Sequence, residues 1–273
     1  MTAILHVSDL HFGQPSVAAQ IDAIEERIRA REFDVVVVSG DVSQRSRYGE
    51  FQRARAFLRD AARFAATLVV PGNHDVKWWR APLGVGSRAG VTWHYRHLVS
   101  AELEPVLQVP GITFVGLNSA HGVMPYTLKW NPRHIGVMGD ITRAQIEGAR
   151  ERFAAAPAGD ARVLVFHHNP LRGQLSNRYG VAHPKRLAQA FADLSVDLVL
   201  CGHDHQEAVH HLPHGEHGTL VCTAGTLSDR SRGKRPPVAF RIDVDDAHIG
   251  VTPLVWGGER AAFVAGEERS FPR

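Results

Sequence analysis

Five apolar runs in this 273-residue chain stop on side chains that bind cations or move protons. "ILHVSDLH" ends in Asp9 and His11, and "VVVVSGD" ends in Asp41. "LVVPGNHD" delivers Asn73, His74 and Asp75 in a row, "VLVFHHNP" delivers His167 and His168, and "LVLCGHDH" delivers His203 and His205. Taken singly each run is ordinary, because a lone histidine after a strand is usually a satisfied polar residue and "GD" or "GN" is usually a turn. Five in succession, each directly after a buried-strand pattern, point to one site assembled from strand ends.

The residue types decide which chemistry that site could perform. No Ser or Cys nucleophile stands beside a base, and no Walker-type glycine loop is found. The set is carboxylate, imidazole and amide oxygen. Imidazole suits zinc, iron, manganese and similar ions, whereas purely oxygen cages suit calcium and magnesium. There are more donors than one four- to six-coordinate ion can use. Two ions roughly 3.5–4 Å apart, sharing a carboxylate, would use them, would hold a hydroxide at neutral pH, and would clamp both oxygens of an in-line displacement at phosphorus. The D-x-H and H-x-H spacings place two side chains on the same side of an extended segment.

The elements that must carry these residues alternate. "AILHVS", "DVVVVSG" and "TLVVPG" read as strands. Between them, "VAAQIDAIEERIRAREF" carries apolar residues at Val17, Ile21, Ile24 and Ile28, and "GEFQRARAFLRDAARF" presents Phe51, Ala54, Phe57, Leu58 and Ala61 on one helical face. The β-α-β-α-β order predicts a parallel sheet with right-handed crossovers. In open α/β sheets ligands bind outside the carboxyl ends of the strands, so if the strands are parallel neighbours the five clusters converge on one edge. "ITFVGLNS" and "RVLVFHH" add strands. Thr142 and Gln145 read as a capping box opening the helix "TRAQIEGARERFAAA". "HPKRLAQAFADLSV" is a further helix before "DLVLCGHDH". Some helix is expected near "WHYRHLVSAEL". After residue 206 the pattern is mostly β with hairpin-like connections: "EAVHHL", "GTLVCTAGT", "PVAFRIDV" and "IGVTPLVW". No Ser/Gly/Pro-rich linker interrupts the chain, so residues 1–273 read as a single domain.

Composition limits the partners. There are 31 basic and 28 acidic side chains, for a net charge of +3. Their signs are interspersed, which is weak support for a nucleic-acid polymer as partner. Cys201 and Cys222 lie in apolar runs and read as small buried hydrophobes. No signal-peptide pattern is found and no apolar run approaches the ~20 residues needed to span a bilayer, so no membrane span and a cytoplasmic location are expected. A homodimer is left open by the sequence. Histidine is the outlier, at 17 residues. Four of them, His210, His211, His214 and His217, are expected on an exposed hairpin. The basic segment Ser228–Pro237 is expected as a solvated turn. Trp78 and Trp79 read either as core or as a stacking surface for substrate.

The ordered set "DLH", "GD", "GNHD", "HHNP" and "GHDH" resembles the calcineurin-like metallophosphoesterase superfamily over residues 4–205. The resemblance implies an α/β fold of two packed mixed β-sheets flanked by helices. It implies that Asp9, His11, Asp41 and His205 hold one metal, and that Asp41, Asn73, His167 and His203 hold the other, with Asp41 bridging. The ions would be two di- or trivalent transition metals, Mn, Fe or Zn. His74 would protonate the leaving alkoxide. Asp75 would either orient His74 or cap the following turn. Between the paired histidines, the family's pattern selects His167 as ligand, and His168 would face substrate or pack. The implied activity is hydrolysis of a small phosphate ester, with the nearest branch being bacterial phosphodiesterases of cyclic nucleotides and glycerophosphodiesters. A phosphomonoesterase, a lipid-pyrophosphate hydrolase and a DNA nuclease of the same fold are the alternatives. A scaffold of this fold that has lost its metals should lack several ligands, and here all are present.

Overall fold

The structure is a computed structural model and describes residues 1–77, 88–124, 137–214 and 217–273. The opening βαβαβ unit forms as its pattern requires. Strands β1 (Thr2–Val7), β2 (Val35–Val38) and β3 (Ala66–Val69) pair in parallel. Helices α1 (Ala18–Arg29) and α2 (Tyr48–Ala61) make the crossovers between them. The "VVVV" of β2 shows why the run lacks polar alternation. Val36 and Val38 pack under the helices with Ile24, Ile28 and Phe51, while Val35 and Val37 face the other way into a second apolar layer.

That second layer is where the structure departs from a single sheet. Strands β4 (Val106–Val109), β5 (Ile112–Gly116), β6 (Ala161–His168), β7 (Leu198–Gly202), β8 (Ala208–His214) and β9 (His217–Thr223) form their own sheet, ordered β4-β5-β6-β7-β9-β8. Strands β5, β6, β7 and β9 run parallel, with β4 and β8 antiparallel at the edges. The chain then returns to the first sheet. β10 (Val238–Val244) pairs antiparallel with β1, β11 (His248–Gly257) follows, and β12 (Ala262–Ala265) and β13 (Arg269–Pro272) share the outer edge of β11.

Three apolar layers hold this together. Between the sheets lie Ile4, Leu68, Phe114, Val163, Leu200 and Phe240. Outside the second sheet, α4 (Arg143–Ala154) and α5 (Pro184–Asp193) cover Leu164, Phe166 and Val199 with Phe153, Leu187 and Phe191. The result is a helix/sheet/sheet/helix sandwich, two mixed sheets with flanking helices. Thr142 caps α4 as expected: its side chain accepts from the Gln145 amide at 3.2 Å while Gln145 Oε1 accepts from the Thr142 amide at 2.9 Å. Helix α3 (Arg88–Leu98) supplies the helix expected near "WHYRHLVSAEL", covering Trp93–Leu98 and stopping before Val99. Cys201 and Cys222 are buried and free, and burial pushes the Cys201 thiol up to about 12. Among the described residues no helix is long and apolar enough to cross a membrane. Trp78 and Trp79 lie outside the described residues, as does most of the irregular stretch from His121 to Gly139.

Candidate metal centre

The five clusters do meet, but at the shared mouth of two sheets rather than along one sheet edge. The ends of β1, β2 and β3 supply Asp9, His11, Asp41 and Asn73, and the ends of β6 and β7 supply His167, His203 and His205. Reaching that mouth distorts the backbone. Asp9, His11, Asp41, His203 and His205 all have positive φ, between 45° and 74°, and make up five of the eleven non-glycine residues with positive φ among the described residues. Such conformations persist only where surrounding contacts over-determine them, and they concentrate at functional sites. Gly72 is required for closeness: a Cβ there would strike the Asp41 carboxylate and amide.

One group comprises Asp9, His11, Asp41 and His205, whose candidate ligand atoms all lie within 4.8 Å of one another. Asp9 Oδ2 accepts from Ser8 Oγ at 2.6 Å and from the His203 amide at 3.0 Å, whereas Oδ1 is buried and has no hydrogen bond. His205 donates Nδ1–H to the Arg230 carbonyl at 3.0 Å, so its Nε2 carries a lone pair. That lone pair lies 3.0 Å from Asp9 Oδ1 and 3.1 Å from His11 Nε2. Acceptors crowded this way repel unless a cation lies between them. Donors about 2.0–2.2 Å from an ion sit roughly 3–3.5 Å apart, so these spacings fit a metal.

The second group repeats the logic. His167 donates Nδ1–H to the Ser39 carbonyl at 2.8 Å, leaving a buried, unpartnered Nε2 only 3.3 Å from Asp41 Oδ2. His203 Nδ1 and Asn73 Oδ1 lie 3.0 Å apart. Asp41 stands between the groups, its Oδ2 3.9 Å from His11 Nε2, and its Oδ1 accepts from the His74 amide at 2.8 Å. Burial alone would lower His167, but the Asp41 and Asp9 carboxylates overcome it and raise it to about 9. Burial would likewise raise Asp41, and His167 and His74 beside it hold it well below the carboxylate range. Burial and the neighbouring His167 lower His203 to about 3, so the carboxylates favour positive charge at His167 while its neighbour stays neutral. His168 packs against the ring of His203, with centroids 4.6 Å apart, its Nδ1 meets Ser119 Oγ at 2.7 Å, and burial lowers it well below the usual imidazole range.

His74 sits at the same mouth. Its Nδ1 donates to the Gln44 carbonyl at 2.7 Å, which leaves Nε2 for the cleft, and its ring edge meets His11 with centroids 4.8 Å apart. Asp75 does not touch the His74 ring. Its buried carboxylate accepts from the amides of Val42, Ser43 and Gly72 at 3.1, 2.8 and 3.0 Å, and from Ser43 Oγ at 2.8 Å. Asp75 thus ties the loop after β2 to the loop after β3, and the orienting partner of His74 is the Gln44 carbonyl.

The segment Ser228–Pro237 is not a free turn. Arg230, Ser231, Arg232 and Gly233 line a cleft of about 570 Å³ together with Asp41, Asn73, His74, His203 and His205. Arg230 Nη1 donates to Gln44 Oε1 at 3.1 Å and Arg232 Nε to the Asp204 carbonyl at 2.8 Å. No spacing marked Gln44, Arg230 or Arg232 in the sequence, and only the basic composition of "SDRSRGKRPP" hinted at the loop. His210, His211 and His214 lie on β8, and His214 Nε2 meets Thr219 Oγ1 at 2.7 Å. Among the described residues they form no converging donor group. A hollow of about 1150 Å³ opens at the amino end of the second sheet around Gly111, Asp160, Asp197 and Arg273, and contains none of the clustered donors.

The chain matches a family model described as calcineurin-like phosphoesterase over residues 2–207. No curated protein matches it significantly. Among solved structures, a purple acid phosphatase from yellow lupin (Lupinus luteus) seeds is similar at 11% identity and a TM-score of 0.66. The alignment covers all of this chain and 54% of that one, so this chain spans about half the lupin protein. GAP50 of Plasmodium, described as the anchor in the inner membrane complex, is similar at 12% identity and a TM-score of 0.57, covering 93% of this chain and 84% of that one. Vacuolar protein sorting 29 of Cryptosporidium parvum is similar at 13% identity and a TM-score of 0.50, covering 100% and 98%. At such identities the likeness is one of fold alone. The family match carries further: this chain belongs to the calcineurin-like phosphoesterase family.

Proposed function

We propose that the protein is a dinuclear metal-dependent phosphodiesterase acting on small phosphodiesters. The observation that carries this reading is the division of seven donor side chains into two groups that share Asp41, with the Nε2 face of His74 opening on the same cleft. Asp9, His11, Asp41 and His205 would hold one ion, and Asp41, Asn73, His167 and His203 the other. Two transition-metal ions held there supply Lewis acidity toward phosphate oxygens and activation of water.

The chain's own residues do the rest. The carbonyls of Ser39 and Arg230 fix the tautomers of His167 and His205 and aim their lone pairs inward. Asp75 locks the two loops that carry Asp41 and His74. His74, held through Nδ1 by the Gln44 carbonyl, presents Nε2–H when protonated and gives that proton to the departing alkoxide.

A diester is favoured over a monoester by the shape of the surroundings. The central cleft shares Arg230 with a neighbouring hollow of about 380 Å³ lined by Gln44, Arg45 and Arg47, and shares His203 and Arg232 with a groove of about 570 Å³. A diester has an organic group for each. The monoesterase reading draws on Arg230 and Arg232, which could clamp a dianionic phosphate. Each guanidinium gives one N–H, to Gln44 Oε1 and to the Asp204 carbonyl, and keeps its remaining donors, so the choice between the two readings falls to the substrate comparison. The structural likeness to an anchoring protein keeps a non-catalytic role in view, but the complete donor set opposes it. The deciding experiment compares an aryl diester with an aryl monoester at identical metal loading. A strong monoester preference overturns the phosphodiesterase reading, and no hydrolysis of either by metal-loaded protein overturns catalysis altogether.

A further inference from the structure

The groove beyond His203 and Arg232 is built mostly by the segment that follows the "HHNP" motif, Leu171–Ala182, which supplies none of the seven donors. This segment is a fixed wall. Arg172 Nε donates to the Asn177 carbonyl at 3.1 Å, and the Gly173 amide donates to the Arg178 carbonyl at 2.9 Å. The Leu175 amide donates to Gln206 Oε1 at 3.0 Å, and the Asp204 carboxylate meets the Ser176 hydroxyl. Gly173 permits that approach, since a Cβ there would strike Asp204 Oδ2 and Ser176 Oγ. The wall therefore hangs from the same turn that carries His203 and His205, and its position relative to the reaction centre is preset.

The wall presents an aromatic face, an uncommitted cation and amide groups together. Tyr179, 45% exposed, and Val137, 38% exposed, both line the groove. The Arg178 guanidinium is exposed, also lines the groove, and has no hydrogen-bond or ion-pair partner among the described residues. Asn169 and Asn177 add amide groups to a lining that also includes Ser176 and Asp204, which bond to each other. A groove of about 570 Å³ is in the range of sites for drug-sized ligands and larger than a glycerol or choline group needs. A lipid chain would want a continuous apolar wall, and this one carries Arg172, Arg178 and Arg232. An aromatic face beside planar donors suits a nucleobase, which stacks on one and hydrogen-bonds to the other.

Resting on the phosphodiesterase reading above, we infer that this groove is a specificity subsite for the nucleoside half of a nucleotide diester, with Tyr179 as stacking surface and Arg178 as donor to base or ribose. The esterified phosphate reaches the metal cleft past His203 and Arg232, and the leaving alcohol lies on the His74 side.

The test uses two substrates with one leaving group: the p-nitrophenyl ester of thymidine 5′-monophosphate and methyl p-nitrophenyl phosphate. Metal-loaded wild type should favour the nucleoside ester in kcat/KM by roughly tenfold or more, the lower part of what one base–aromatic stack supplies. In an Arg178→Ala/Tyr179→Leu variant of unchanged thermal stability, that ratio should collapse toward one, chiefly through KM. A ratio near one in wild type, or equal losses on both substrates in the variant, overturns the inference. If neither diester is hydrolysed, the phosphodiesterase reading fails, and equilibrium binding of thymidine 5′-monophosphate judges the groove separately. Binding that weakens about tenfold in the variant supports a nucleoside subsite, and unaltered binding overturns it.

Discussion

Replacing Asp75 with alanine separates two ways in which a carboxylate beside a catalytic histidine can matter. The side chain is buried, with its residue 1% exposed, and accepts from three backbone amides and one hydroxyl. Ser43 Oγ already reaches the His74 carbonyl at 3.2 Å and keeps a partner. The amides of Val42, Ser43 and Gly72 do not. A buried donor left unsatisfied costs about 1–3 kcal/mol. Water entering the vacated space, and relief of the repulsion between Asp75 and Asp41, offset part of that. The expected loss is about 3–5 kcal/mol, or roughly 6–20 °C in Tm for a domain of this size. Asp75→Asn should fall between wild type and Asp75→Ala, because one amide oxygen still accepts while the NH₂ group faces donors. Activity should fall with the fraction of intact site, and catalytic turnover of the folded, metal-loaded population should change less than stability does. Thermal melts at fixed metal loading, paired with active-site-normalised kcat, read both quantities. An unchanged Tm with kcat down a hundredfold would refute the reasoning and return Asp75 to a direct role on His74.

Three further outcomes are expected. His74→Ala should keep its metals and lose roughly 10²–10⁴ in turnover on alkyl or nucleotide diesters. The loss should be far smaller on aryl diesters, whose phenolate leaves with little protonation, and metal loss equal to that of Asp41→Ala would make His74 a ligand instead. His6 is buried against Phe240, with Nε2 2.9 Å from Ser39 Oγ, and burial lowers it to about 3. Between that value and 6.5 the unfolded chain binds a proton that the folded chain refuses, so stability rises with pH across this window and is lost on acidification, at about 1.4 kcal/mol per pH unit. Urea melts at pH 6.5 and pH 4.5 measure the slope, and His6→Leu should reduce it, the remainder coming from other buried imidazoles such as His168; an unchanged slope in that variant excludes His6 as a source. Chelation of the ions should lower Tm and restoration should recover it, because a ligand that binds only the native chain stabilises it by mass action; a Tm indifferent to chelator would contradict a metal held by the folded site.

Much of the site could be read from the chain because its residues are contiguous with strand signals: "LVVPGNHD" announces both a buried strand and what the strand delivers. The second sheet was harder to see. Buried parallel strands of two stacked sheets have the same apolar signature, so the runs through Val36 and Val165 do not reveal that they belong to different layers. β4, β12 and β13 escaped for another reason: they are short edge strands in which exposed and polar residues dilute the pattern. The partners of His74 and His167 were invisible because they are backbone carbonyls, of Gln44 and Ser39, and a carbonyl has no residue type. The Arg230–Gly233 loop looked like a solvated turn because fold-back depends on contacts with Gln44 and Asp204, each remote in sequence.

The central claim is that seven side chains form two metal sites joined by Asp41, and metal stoichiometry tests it most directly. Metal-free protein titrated with manganese or zinc, followed by calorimetry and by elemental analysis of the saturated sample, should bind two ions per chain. Asp41→Ala should fail to hold the pair, since it removes the shared ligand and leaves two cations to repel each other unshielded. Saturation of the wild type at one ion, or two ions still held as tightly by Asp41→Ala, would contradict the account.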